Sequence, residues 1–136
     1  MKRYFFSAIA IFCALTACDE ETTKTKQYMV RGQQLYQTYC ANCHQQDGSG
    51  LGKLYPPLKD SQHLSDKETV ICTIKNGMEG EIVVNGQTYD QPMPGIPELK
   101  NLDIAEIATF VRITWGGASD RVSLEDVEQA LKDCVK

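Results

Sequence analysis

In Cys40-Ala41-Asn42-Cys43-His44 two thiols stand three residues apart, and an imidazole follows the second directly. Nothing else in the 136-residue sequence narrows the fold as much. C-x-x-C-H is the attachment signal for a c-type haem. Two thiols at the end of a helical turn can each add to one haem vinyl group, and the adjacent histidine then lies under the iron and supplies an axial nitrogen. Two thioethers prevent loss of the haem and remove most of the entropy cost of holding it. A bare C-x-x-C also serves as a redox dithiol or as half of a zinc site. The dithiol needs a strand–motif–helix setting in a parallel sheet, and no such pattern is visible. The zinc site needs a second ligand pair, whereas Cys72 and Cys134 are far apart in sequence and His63 is the only other histidine. The position of His44, together with an export signal, selects one covalent haem c.

That export signal occupies residues 1–17. A short basic head, Met1-Lys2-Arg3, precedes an apolar stretch over 4–14. A bilayer-spanning helix needs about 20 residues, so this stretch fits the core of a signal peptide instead. Leu15-Thr16-Ala17-Cys18 resembles a bacterial lipobox, in which cleavage before the cysteine leaves Cys18 N-terminal and lipid-modified. An ordinary secretory signal cut near a cysteine is the alternative. Residues 18–27 contain no apolar residue between Asp19 and Gln27 and read as a lipid-anchored polar tether, solvated and flexible, with a reach of about 30 Å when extended. The expected location is therefore outside the cytoplasm, on a bacterial membrane, facing the periplasm or the cell exterior. Fourteen basic and eighteen acidic residues give a net charge of −4. An acidic chain without a basic cluster is poorly suited to a phosphate backbone, so no nucleic-acid partner is expected. With 42% hydrophobic and 24% charged residues, a multi-spanning membrane protein, a coiled coil and a wholly disordered chain are excluded.

The folded part is expected to start near Tyr28, as a haem-binding domain over 28–117 with a helical extension over 118–136 packed on it. Four segments read as helices. The first runs from about Met29 to Cys40. The second runs from Ser65 to Asn76, with Ser65 and Glu68 as a capping-box pair and Gly77 as a left-handed cap. The third runs from Asp103 to about Thr114, with Asp103 and Glu106 as a capping-box pair, Leu102 and Ile107 as a staple, and Gly116-Gly117 as its stop. The fourth runs from Ser123 to about Val135, with Ser123 as cap, Asp126 at N3, and Val122 facing Val127. Asn85-Gly86 between β-favouring residues predicts a hairpin over 82–89. The glycine-rich stretch 47–55 reads as a loop.

From Gly32 to Trp115 the sequence resembles the bacterial class I cytochromes c. The matching pieces are Gly32-x-x-Leu35-Tyr36-x-x-x-Cys40-x-x-Cys43-His44, Gly48-x-Gly50, Pro56-Pro57-Leu58, Val84-Asn85-Gly86-x-x-Tyr89, Met93-Pro94, and Asp103-Ile104-Ala105-Glu106-Ile107 followed by Val111-Arg112-x-x-Trp115-Gly116. They occur in the family's order over about 85 of the 136 residues. The resemblance implies an all-α fold around one covalent haem, with the first and third helices crossing at Gly32 and the haem in a crevice with one edge exposed. It also implies that a proline carbonyl after the haem motif, from Pro56 or Pro57, accepts a hydrogen bond from the axial histidine.

The sixth iron ligand separates carrier from catalyst, because a haem with two strong protein ligands can only pass electrons. Met93 lies in Gln91-Pro92-Met93-Pro94-Gly95, stiffened by proline on both sides, and it stands where the family places its ligand. Met78, His63 and an open site are the alternatives; core packing is the other role for Met78, and a surface loop the other place for His63. His44 and Met93 as the metal ligands would give a positive reduction potential. The expected function is electron transfer by a membrane-tethered single-haem carrier, not an enzyme, working between redox protein partners as a monomer. An electron-entry subunit of a larger respiratory oxidase, reductase or dehydrogenase is the alternative, and an enzyme or gas sensor with an open sixth site is a third. Cys72 and Cys134 remain once the haem, the anchor and the signal have taken the other four cysteines. Cys72 lies off the apolar stripe of Val70, Ile71 and Ile74. Cys134 lies on the apolar face formed by Val127, Ala130, Leu131 and Val135. These two are expected to form a disulfide in an oxidising compartment, worth roughly 3–4 kcal/mol in the chain-entropy treatment.

Overall fold

A computed structural model describes residues 20–134. Cys18 and the signal stretch lie outside the described residues. Helix α1 spans Glu20–Tyr39 and runs directly into the four-residue helix α2, Ala41–His44. A 3-10 turn at Gln62–Leu64 precedes helix α3, Lys67–Asn76. Helix α4 is Asn101–Trp115 and helix α5 is Leu124–Asp133. Four short strands lie between α3 and α4: β1 Gly77–Met78, β2 Ile82–Val84, β3 Gln87–Tyr89 and β4 Met93–Pro94. The mostly helical fold with a hairpin and a C-terminal helix is the one the sequence predicts.

The polar residues over 20–27 are helical, contrary to the flexible tether expected there. No glycine or proline interrupts them. Glu20 and Lys24 pair one turn apart at 2.8 Å, and the Thr25 hydroxyl donates to the Glu21 carbonyl at 2.9 Å. Such exposed pairs add only about 0.2–0.5 kcal/mol each. The stronger reason is tertiary. Both the Nε and an Nη of Arg121 donate to the same Glu21 carboxylate oxygen, at 2.9 and 2.7 Å. The Arg121 guanidinium also lies 4.8 Å from the centre of the Tyr28 ring. The extension after α4 thus holds the first turns of α1. Among the described residues, no helix is long and apolar enough to cross a membrane.

Helices α1 and α4 cross at Gly32. A Cβ there would sit 2.1 Å from the Glu106 carbonyl oxygen and 2.8 Å from the Phe110 Cβ, so the crossing accepts only glycine. Beside it Tyr36, Phe110 and Trp115 stack in tilted and edge-on pairs, with centroids 5.0–5.5 Å apart. Ile104, Ala105, Ile107, Ala108 and Val111 are buried along α4, because this helix packs on two sides. One side meets α1. The other takes the C-terminal extension, whose Val122, Val127 and Ala130 belong to the core, with Leu131 packed against it. Thr109 ties the two together, donating to the Ala105 carbonyl at 2.7 Å and accepting from the Val122 amide at 2.9 Å.

Besides α1, already helical at Glu20 rather than starting near Met29, two further helix starts differ from the expected ones. Asp66, not Ser65, caps α3, accepting from the amides of Glu68 and Thr69 at 3.3 and 3.0 Å. Helix α4 begins at Asn101, and Asp103 lies in its first turn, accepting from the Lys100 amide at 3.0 Å. Leu102 is 46% exposed and lies inside the helix rather than ahead of its cap, the position a staple needs. Ser123 and Asp126 form the expected reciprocal cap of α5, at 2.7 and 3.1 Å. The hairpin pairs Ile82 with Tyr89 and Val84 with Gln87 around Asn85-Gly86, both at positive φ. The second ladder, Gly77 with Pro94 and Met78 with Met93, has no counterpart in the sequence reading.

The structure joins Cys72 to Cys134, with Cα atoms 5.6 Å apart. This bond fastens the outer face of α3 to the end of α5.

Candidate haem site

The C-x-x-C-H segment stands on the end of α1. The Cys40 amide donates to the Tyr36 carbonyl at 2.9 Å, and the amides of Cys43 and His44 both return to the Cys40 carbonyl, at 3.2 and 3.0 Å. This tight turn brings Cys40, Cys43 and His44 to one wall of a cavity of about 380 Å³. Tyr36 anchors the turn by donating its hydroxyl to the Gln45 carbonyl at 2.6 Å. Before a haem is attached, burial, with the neighbouring Cys43, pushes the Cys40 thiol pKa up to about 12. Cys40 and Cys43 are both free of disulfide bonding.

The loop after the motif folds back over His44. The Gly50 amide donates to the His44 carbonyl at 3.0 Å, and the Leu58 amide to the Gly48 carbonyl at 2.8 Å. This course delivers the Pro56 carbonyl to the imidazole, where it accepts from His44 Nδ1–H at 2.9 Å. Pro57 lines the cavity without that bond. Burial lowers the His44 pKa, with the Pro56 hydrogen bond opposing it. The ring is therefore neutral, with Nδ1–H committed and Nε2 left as the lone-pair donor a metal requires.

The other walls come from α3 (Val70, Ile74), the hairpin (Val84, Tyr89) and α4 (Ile107, Val111). Met78, Met93 and His63 also line the cavity. Met78 and Met93 face one another across the β1–β4 ladder, so their side chains share a face. Gly77 makes that ladder possible: with φ of 79°, it lies where a Cβ would fall 2.4 Å from the Met93 carbonyl oxygen. His63 is half-buried rather than on an open surface loop, and its Nε2–H donates to the Val83 carbonyl at 3.0 Å. Among the described residues, no group of three or more His, Cys, Asp or Glu side chains could hold a bare metal ion. Two free thiols, an oriented neutral imidazole and an apolar cavity fit a large, flat, covalently held cofactor.

A small helical domain with a C-x-x-C-H turn set into an apolar cavity defines a covalent haem protein. The chain belongs to the cytochrome c family, whose sequence profile matches residues 29–115; like other members, it carries haem c. It is similar to cytochrome c-552 of Thermus thermophilus, at 33% identity over 86 residues, covering 58% of this chain and 64% of that protein. It is also similar to the cytochrome c subunit of the quinone alcohol dehydrogenase of Gluconobacter oxydans, at 29% over 103 residues, covering 72% of this chain and 21% of that one. The corresponding subunit of Komagataeibacter europaeus is 30% identical over the same length. The chain thus spans less than two thirds of each of these relatives.

Proposed function

We propose that this protein is an electron carrier with one haem c, bound through Cys40 and Cys43 and ligated by His44 and Met93. The observation that carries the reading is His44, whose Nδ1–H is taken by Pro56 at 2.9 Å inside the cavity that Met93 also lines. When bound, haem c supplies a one-electron Fe(III)/Fe(II) couple. The chain's own contribution is to orient that group and shield it. Pro56 fixes the imidazole plane and makes Nε2 more basic. The apolar walls disfavour the extra charge of the ferric state, and a thioether ligand shifts the balance the same way. Met93 is favoured over Met78 because Pro92 and Pro94 restrict its backbone, and a weak ligand gains from being held in place beforehand. The Val83 carbonyl holds the His63 ring through Nε2–H and leaves Nδ1 as its lone-pair nitrogen, so His63 is the imidazole alternative that a Met93 variant tests.

Met93→Ala is expected to keep the haem attached, lower the reduction potential and open the iron to carbon monoxide. An unchanged visible spectrum and no carbon monoxide binding would move the ligand to Met78 or His63.

The proposal includes export and a lipid anchor at Cys18, with the domain facing the periplasm or the cell exterior. Since α1 is already helical at Glu20 and is pinned by Arg121, the anchor would hold the domain close to the membrane rather than on a long leash. Cys18→Ser should release an intact cytochrome into the soluble fraction; an untouched wild-type protein that is already soluble would remove the anchor. A second reading, an electron-entry subunit of a larger dehydrogenase, rests on the likeness to the quinone alcohol dehydrogenase subunits. Copurification of the native protein with a dehydrogenase would favour it.

A further inference from the structure

The segment after Met93 carries little of its own hydrogen bonding. Pro92, Pro94 and Pro97 lack an amide hydrogen, so the chain over 91–99 is short of backbone donors. What holds it is the last turn of α3. The Ile96 amide donates to the Ile74 carbonyl at 3.1 Å. Gly95 lies flat against the helix end, where a Cβ would fall 2.5 Å from the Asn76 carbonyl carbon and 2.6 Å from the Lys75 carbonyl oxygen. The Lys75 ammonium then reaches across and donates to two carbonyls of the segment, Pro97 at 2.8 Å and Leu99 at 3.0 Å. Leu99 is buried, and its own amide turns back to the Ile96 carbonyl at 3.2 Å. Among the described residues, Lys75 is thus the charged side chain that bridges α3, which lines the cavity, and the loop leaving it.

We infer that Lys75 is a positioning residue for the sixth ligand: by holding the carbonyls of Pro97 and Leu99, it keeps the loop closed and Met93 on the cavity wall. The inference rests on the reading of Met93 as the ligand. Lys75 does not line the cavity itself. It acts through the loop, and its loss should raise the frequency at which the loop opens, which is the step that limits entry of an external ligand when the thioether is bound.

The test uses the haem-loaded protein in four forms: wild type, Lys75→Met, which keeps the apolar stem, Lys75→Arg, which restores a charged donor, and Met93→Ala. Lys75→Gln serves in place of Lys75→Met should the latter fail to fold. Two quantities are read, the rate of carbon monoxide binding to the reduced protein and the exchange of the Gly95, Ile96 and Leu99 amides. Lys75→Met should retain its haem and helical signal, bind carbon monoxide about tenfold faster than wild type and exchange those amides faster, because two charge-assisted hydrogen bonds are gone. Lys75→Arg should return towards wild type in both. A rate for Lys75→Met within twofold of wild type, with Met93→Ala binding carbon monoxide freely, overturns the positioning role alone. If Met93→Ala binds no faster than wild type, Met93 is not the ligand and both readings fall.

Discussion

At Gly32 and Gly77 the side chain is absent because another segment's backbone fills its place. The Gly32 site is filled by the Glu106 carbonyl, so neither helix can yield by a mere rotamer change. Gly32→Ala is expected to cost about 1–3 kcal/mol, the usual range for overpacking, seen as a lower midpoint in guanidinium with the haem still attached. A midpoint equal to wild type would mean that α1 and α4 can separate freely. Cys40, Cys43 and His44 are legible as residues because the chemistry requires them within five consecutive positions. The partner of His44 was legible only as a pair of prolines. Pro56 and Pro57 are adjacent and chemically alike, and the choice between them depends on the course of a loop that two glycines, Gly48 and Gly50, bend back onto the turn.

Helix ends are the elements where local rules and tertiary placement compete. For α5 the local rule prevails, and Ser123 with Asp126 forms the cap that four residues can specify on their own. For α3 two candidate caps are adjacent, and Asp66 takes the role because its carboxylate can accept from the amides of both Glu68 and Thr69. Replacing Asp66 with alanine should cost about 1 kcal/mol. The Asp66 pKa is lowered chiefly by hydrogen bonds from the Thr69 hydroxyl and amide. A lowered native value means the cap's contribution is complete above the ordinary aspartate pKa of about 3.9. It is lost as pH falls through the still lower native value. Thermal melts of wild type and Asp66→Ala should therefore differ at neutral pH and converge towards pH 2; a constant gap would exclude the carboxylate as the source.

Across the whole molecule, the C-terminal extension is bound into the core rather than laid on the surface. Val122 and Val127 are fully buried, an Nη of Arg112 reaches Asp120 of the extension at 3.5 Å, and Cys72–Cys134 closes the arrangement from outside. Replacing both cysteines with serine should lower stability by about 4 kcal/mol in the chain-entropy treatment of a loop of this length. The cavity is walled mainly by other elements, so the haem spectrum should stay unchanged while the denaturation midpoint falls. A loss of the spectrum along with the midpoint would show that α5 supports the cavity directly.

The sequence alone was enough for the covalent haem, the hairpin and the α5 cap, each written in residue types a few positions apart. The Gly32 crossing was implied by the family resemblance, and Cys134, expected inside a helix running to about Val135, lies just past the end of α5 at Asp133. Tertiary structure decided the rest. Residues 20–27 carry no apolar stripe, and they are helical because Arg121, remote in sequence, engages Glu21 and Tyr28. Met78 and Met93 share one face because a two-residue ladder pairs them, and a ladder so short leaves no alternation to read. Lys75 looks like any solvated cation near a helix end until the carbonyls of Pro97 and Leu99 are brought to it. Contacts of this kind depend on where distant backbone segments come to rest, and that is set by the packing of the whole core.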